Sequence, residues 1–304
     1  MLKKIVKTIS ILLLVIILAG VGYGAKVYFD VRNTAKGINT PVERQSNLRD
    51  KNVDIDSGQP FSVLLLGLDT GDKGRTDQGR SDTMLLATVN PKQNQTTLVS
   101  LPRDTYTEII GHEGNTKDKL NHAYAFGGAA MAMDTVENLF QTPVDHYVTI
   151  NMKGLQDLVD AVGGITVDNQ LEFSQDGFDF PVGTIKLNGE SALSYSRMRY
   201  EDPNGDYGRQ ERQRKIIQSV VDQAMSVSSV TGYTDILRAI SDNMKTDLSW
   251  DDMIDISTKY RSAFGTVQDD GLKGDGVMLD GVSYQEVSDS ELARVKDLLN
   301  SQLK

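Results

Sequence analysis

From Phe61 the chain reads FSVLLLGLD, an unbroken apolar run closed by Gly-Leu-Asp. A sheet covered on one face alternates polar and apolar residues, so a run without alternation predicts a strand buried on both faces. TMLLATVN and TTLVSLP follow, separated by the turn-rich PKQNQ, and predict a hairpin. NHAYAFGGAAMAMDTVENLF has helical length and small residues, DHYVTIN predicts a strand, and MKGLQDLVDAV predicts a helix closed by Gly163 and Gly164. GITVDN predicts a further strand, and the Gly- and Pro-punctuated QDGFDFPVGTIKLNGE leads on from it. The remainder reads mostly as helix, through RQERQRKIIQSVVDQAM, TDILRAISDNM and WDDMIDISTKYRSAF, the last with Ser249 and Asp252 at a capping-box-like start. DGVMLDG predicts one late strand, and Ser288 with Glu291 caps a final helix through Leu299. Strands alternating with helices predict an α/β domain: a three-layer α/β/α sandwich around a central mixed sheet.

Ahead of this domain, an almost wholly apolar run from Ile9 to Ala25 extends back through Ile5 and Val6, to about the 20 residues that cross a bilayer. Lys3, Lys4 and Lys7 precede it, which predicts a cytoplasmic N-terminus with everything after Lys26 outside the cell. The layout is then a cytoplasmic tail (1–4), a transmembrane signal-anchor helix (5–25), a polar stalk with room for one short helix or strand (26–59) and an extracellular catalytic domain (60–304). A cleaved signal peptide is the competing reading, since Gly22 and Gly24 supply small residues near a cleavage point, but the apolar run exceeds a normal signal core.

The chain of 304 residues carries a formal charge of −10. Residues 1–26 hold four lysines and no acid, which leaves −14 on the external part, so neither nucleic acid nor another general polyanion is an expected partner. With no cysteine there is no disulfide, thiolate metal site or cysteine nucleophile. Phosphate-loop, His-Glu-x-x-His and Gly-x-Ser-x-Gly patterns are absent. The stretch from Asp202 to Gln213 begins like a calcium loop but puts Tyr207 and Gln213 where glycine and a bidentate glutamate are required. His112, His122 and His146 share no metal-ligand spacing.

Positive charge is concentrated in SYSRMRYEDPNGDYGRQERQR, residues 194–214. Arg197 and Arg199, two apart, point the same way on a strand or an extended exit from a helix. Arg209, Arg212 and Gln213 follow at helical offsets near a helix start, where backbone N–H groups also attract anions. Guanidinium grips phosphate oxygens in pairs, and Gly205 and Gly208 would let the backbone approach a ligand. A solvated helix with Glu211–Arg214 pairing accounts for the same spacing. A second cluster, Arg80, Asp82, Arg103 and Asp104, sits at predicted strand ends, where Asp82 with Asp206 could hold one Mg2+ against phosphate or could form simple ion pairs.

Four segments in order, GRSDTMLLATVNPKQNQTTLVSLPRDTY, KLNHAYAFGG, VDAVGGI and SRMRYEDPNGDYGRQERQR, resemble the LytR-CpsA-Psr family of cell-wall glycopolymer ligases over about residues 60–225. The resemblance implies an external α/β/α domain with a hydrophobic groove for a polyprenyl tail. It also implies transfer of a glycopolymer (wall teichoic acid, capsule or a related polysaccharide) from a polyprenyl-pyrophosphate carrier to peptidoglycan, with release of polyprenyl phosphate. The family's magnesium aspartates fall on Asp82 and Asp206, and its pyrophosphate-binding arginines on Arg103, Arg197, Arg199 and Arg209. Gln213 matches a polar neighbour, and Arg80 is a further candidate. The insert GDKGRTDQG leaves open whether Arg75 reaches the site. Lipid-pyrophosphate hydrolysis and non-catalytic regulation of envelope gene expression are the alternative readings.

Overall fold

The structure is a computed structural model that describes residues 23–44, 48–49, 51–70, 79–226 and 233–304. The tail and nearly all of the expected anchor lie outside the described residues, as does Arg75. Among the described residues no helix is long and apolar enough to cross a membrane.

The first described helix, α1, covers 23–38 and buries Ala35 and Ile38. The described residues that follow it in the stretch expected as a stalk make contacts with the domain. Asn39 bridges to Thr246, Arg44 pairs with Asp134 at 2.7 Å and Glu137 at 3.1 Å, and Arg49 grips both oxygens of Asp145 at 2.5 and 2.9 Å.

Six strands form the central sheet: β1 (Phe61–Leu68), β2 (Ser81–Asn90), β3 (Gln95–Ser100), β6 (His146–Asn151), β11 (Met244–Thr246) and β12 (Val267–Gly271), in the order β11-β6-β1-β2-β3-β12. Pairs β1–β2, β2–β3 and β6–β11 are antiparallel, whereas β1–β6 and β3–β12 are parallel, so the sheet is mixed as expected. At the β2–β3 turn Asn90 Oδ1 accepts hydrogen bonds from Lys92 N and Gln93 N, a side-chain-closed turn typical of asparagine.

The continuous apolar run in β1 serves two cores. Leu64 and Leu66 join Met84, Leu86 and Val99 against helix α2 (His122–Phe140) and helix α8 (Asp289–Gln302). Val63 and Leu65 join Leu85 and Ala87 against helix α7 (Trp250–Lys259), the 3-10 turn Arg261–Gly265 and helix α5 (Asp206–Ser226). Successive side chains of a strand point to opposite faces, which is how eight consecutive residues meet two helical layers. Full burial of each leucine contributes about 1.5–3 kcal/mol.

A third core lies beyond β6. Helix α3 (Met152–Ala161) and helix α4 (Gly189–Arg197) pack with α5 over two small hairpins, β7 (Ile165–Asn169) with β10 (Gly183–Leu187), and β8 (Phe173–Gln175) with β9 (Phe178–Phe180). Helix α6 (Tyr233–Asn243) packs on α3. On the opposite side, β4 (Tyr106–Glu108) pairs with β5 (Lys117–Lys119), and β13 (Asp275–Leu279) with β14 (Val282–Glu286).

The C-terminal third departs from the mostly helical expectation. Of its four strands, DGVMLDG is β13, and β11, β12 and β14 are additional. The helix expected over WDDMIDISTKYRSAF ends at Lys259, with Ser249 and Asp252 forming the expected capping box. Helix α2 is broken at Gly127 and Gly128, where Gly128 has φ 66, a left-handed value that favours glycine.

Candidate active site

The arginine segment is two elements around a turn. Helix α4 ends at Arg197, and Met198 at φ −58, ψ 134 turns the chain into an extended exit that carries Arg199. Gly205 at φ 54 reverses the chain into α5, which begins at Asp206, three residues earlier than the arginine spacing suggested. An acid in the first turn is favoured there by the helix dipole.

Gly208 has a different role from the one expected. A Cβ at this position would stand 1.8 Å from Asp202 Oδ2, so the missing side chain makes room for a carboxylate of the chain itself, not for a ligand. Asp202 caps Asn204 N at 2.7 Å and pairs with Arg212 Nη1 at 2.5 Å. Arg212, 5% exposed, also donates to the carbonyls of Tyr195 and Met198. Arg212 is therefore a buried tie between α4 and α5. Arg214 reaches Ser100 Oγ, joining α5 to the sheet.

The remaining charged groups converge. Asp82, near the start of β2, pairs with Arg103 Nη1 at 2.6 Å and accepts from Asn121 Nδ2 at 3.2 Å. Asp206 pairs with Arg209 Nη2 at 2.7 Å, lies 3.8 Å from Arg199 Nε and accepts from Gln210 Nε2 at 2.9 Å. The two pairs form one electrostatic cluster. Burial works against charge on Arg103, but Asp82, Asp104 and Asp206 outweigh it and hold the guanidinium more firmly protonated than usual. On Arg209 burial dominates and lowers the pKa, opposed by Asp206 and Asp82 and reinforced by Arg103 and Arg199. Arg103 Nε, Arg209 Nε and Asn121 Oδ1 are buried with no hydrogen-bond partner among the described residues. Orphaned polar atoms of this kind are costly unless a ligand supplies the partner.

The cluster opens into a cavity of about 520 Å3. Its polar end is lined by Asp82, Arg197, Arg209 and Gln213, and its stem by Leu65, Leu85, Val148, Ile150, Leu155 and Leu158 between the sheet and α3. Along α5 the lining residues are Arg209, Gln213, Ile216, Ile217, Val220 and Val221, one helix face that changes from ionic to apolar. Arg209 and Val221 lie about 18 Å apart along the helix axis. The cavity therefore suits a ligand with an anionic head and a long hydrocarbon tail.

Among the candidates from sequence, Asp82, Arg103, Arg197, Arg199, Arg209, Gln213 and Asp206 come together at or beside this head end. Arg199 stays at the rim, with 41% of its side chain exposed and its guanidinium over Tyr200. Arg80 is exposed, does not line the cavity, and engages Asp69 Oδ1 through its backbone N at 2.7 Å. Asn121 and the apolar face of α5 were not singled out from sequence. The apolar positions 216, 217, 220 and 221 at helical spacing below Gln213 were the available signal.

The LytR_cpsA_psr family model matches residues 25–301. The chain is 60% identical over 301 residues to an Enterococcus faecalis protein named polyisoprenyl-teichoic acid–peptidoglycan teichoic acid transferase TagU, covering 99% of this chain and 98% of that one. A crystal structure from E. faecalis described as a transcriptional regulator superimposes with a TM-score of 0.74 at 49% identity, over 83% of this chain and 90% of that one. TagT bound to LIIa-WTA superimposes with a TM-score of 0.72 at 30% identity, over 87% and 99%.

Proposed function

The chain belongs to the LytR-CpsA-Psr family, and on that premise we propose that it transfers a teichoic acid from a polyprenyl-pyrophosphate carrier to peptidoglycan and releases polyprenyl phosphate. The observation that carries this reading is a cavity with arginines at one end and an apolar stem at the other. Relatives named as teichoic acid transferases support teichoic acid over capsule.

Outside a cell no nucleoside triphosphate is at hand, and a lipid-linked pyrophosphate brings its own anhydride bond. The acceptor hydroxyl oxygen forms a bond to the sugar-proximal phosphorus, and the bond from that phosphorus to the bridging oxygen breaks. The bridging oxygen leaves with the lipid phosphate. Arg103, Arg197 and Arg209 meet the negative charge that builds on the bridging and non-bridging oxygens, while Arg199 and Gln213 hold the head group in line. The hydroxyl proton is lost to solvent, and Asp82 is a candidate to carry it only when it is not fully engaged by metal.

Asp82 and Asp206, with the buried Asn121 Oδ1 next to Asp82, are hard oxygen donors that suit Mg2+. Among the described residues no three acidic or histidine side chains gather as a metal site, and Mg2+ needs one or two carboxylates when phosphate and water fill its other positions. When bound there, Mg2+ would neutralise phosphate charge.

We place the domain outside the cell, held by the apolar run at 5–25 with its lysine-flanked N-terminus in the cytoplasm. The regulatory reading draws on the E. faecalis relative described as a transcriptional regulator. The external charge of −14 disfavours direct contact with DNA.

The test supplies the full chain with a lipid-pyrophosphate-linked disaccharide, Mg2+ and peptidoglycan. Phosphodiester-linked product is expected. Sugar phosphate released to water with acceptor present would favour the hydrolase, and no reaction with several donors would favour the regulator.

A further inference from the structure

The motif KLNHAYAFGG, residues 119–128, contributes Asn121 to the charged cluster, and the rest of it has no part in the donor cavity. Those remaining residues form a second polar and aromatic surface. Phe126 is 43% exposed, and its ring stacks on His112 with centroids 4.0 Å apart and planes within 17°. His122 meets the same ring edge-on at 5.6 Å, and its Nδ1 lies 2.8 Å from Asp118 Oδ2. Asp118 thereby fixes the imidazole and leaves Nε2 as the ring's remaining polar atom. A lone exposed phenylalanine is ordinary. This one is stacked on a histidine and bordered by a fixed dyad.

The surface is wired to the reacting centre. Asn121, next to His122, donates to Asp82. Lys119 Nζ pairs with Asp104 at 2.7 Å, Asp104 lies 3.8 Å from Arg103 Nε, and Lys119 N donates to Asp118 Oδ1. A ligand on Phe126 would therefore be linked to the Asp82–Arg103 pair through Asn121 and through the Asp118–Lys119–Asp104 chain, outside the groove that runs down α5.

We propose that the surface formed by the β4–β5 loop, β5 and the first turns of α2, built from Phe126, His112 and the Asp118–His122 pair, is the subsite that holds the glycan strand of the acceptor peptidoglycan. This rests on the transferase reading above. An acceptor hydroxyl must reach a phosphorus whose lipid side fills the groove, so the acceptor approaches from a different surface. A flat aromatic ring covers the C–H face of a pyranose, and the imidazole fixed by its carboxylate partner at the ring's border meets the ring hydroxyls and amide. A polyprenyl chain would instead require a continuous apolar lining, such as the one along α5.

The experiment uses the full chain, a short-chain lipid-pyrophosphate disaccharide as donor, and a soluble uncrosslinked tetrasaccharide of alternating N-acetylglucosamine and N-acetylmuramic acid as acceptor. The variants are Phe126→Ala, Phe126→Tyr and His122→Ala. The alanine variants are expected to raise the acceptor KM about three- to tenfold, the scale of one lost aromatic or polar contact, with the donor KM unchanged. Phe126→Tyr restores it. Saturation-transfer NMR on the tetrasaccharide alone, without donor, reads binding independently of chemistry and should weaken in parallel. An acceptor KM and NMR signal unchanged in Phe126→Ala and His122→Ala would overturn the subsite and leave the transferase reading standing. Tetrasaccharide binding that depends on Phe126 in a wild-type protein unable to transfer would sink the transferase reading and leave the subsite standing.

Discussion

Replacing Arg209 with lysine isolates what a planar guanidinium contributes to the site. Arg209 is 8% exposed, its Nη2 lies 2.7 Å from Asp206, and its Nε is buried at the cavity head without a partner. Lysine keeps the positive charge beside Asp206 but offers phosphate a single point instead of a fork. The loss is one charge-assisted hydrogen bond, about 1.5–3 kcal/mol, or roughly ten- to a hundredfold in rate if the bond tightens as charge develops. Asp206 retains Gln210 Nε2 at 2.9 Å, so the fold should survive with about 1 kcal/mol or less lost. The assay measures kcat and KM for transfer from a lipid-pyrophosphate disaccharide, with the thermal midpoint as control. A fall in kcat with little change in donor KM marks a transition-state contact. A folded Arg209→Lys protein within about threefold of wild type would show that Arg209 does not grip the phosphate, since a single such bond is worth more.

Three further outcomes follow from the same geometry. Ile217→Trp narrows the apolar stem, so long-chain polyprenyl donors should lose at least about tenfold in kcat/KM while short-chain donors change little, as judged by comparing the two in one assay. Gly208→Ala drives a methyl into Asp202 and displaces the partner of buried Arg212, with an expected cost of about 3 kcal/mol in denaturant unfolding. Burial pushes the Tyr195 and Tyr260 hydroxyls up to about 12. The unfolded chain ionises near pH 10, so it loses protons first. The contribution is intact below about pH 10 and is lost towards pH 12, at about 2–3 kcal/mol per tyrosine, visible in unfolding midpoints across that range.

Much of this architecture is legible in sequence because the burial is simple. FSVLLLGLD and TMLLATVN are long, mostly apolar runs and DHYVTIN is a short segment with Tyr147, Val148 and Ile150 between polar residues, and all three are inner strands. Met244–Thr246 and Val267–Gly271 were missed because a three-residue strand has no period to detect and VQDDG is polar; both are edge strands recruited by neighbours distant in sequence. In the site, the arginines stand out as a cluster, but spacing does not separate Arg209, which lines the cavity, from Arg212, which is spent on Asp202 and two carbonyls. Gly208 was misread for the same reason: the group it accommodates, Asp202, lies in the turn outside its own helix. Asn121 reaches Asp82 only through the pairing of strands with the start of α2.

The most direct measurement of the central claim follows one phosphorus atom. A lipid-pyrophosphate-linked teichoic acid precursor carrying label on the sugar-proximal phosphate is incubated with the protein, Mg2+ and peptidoglycan, and the label is located after the wall is digested. Attack at that phosphorus should place the label in a phosphodiester on a muramic acid fragment, with unlabelled polyprenyl phosphate as the second product. Label recovered as free sugar phosphate, or retained on the lipid, would contradict it.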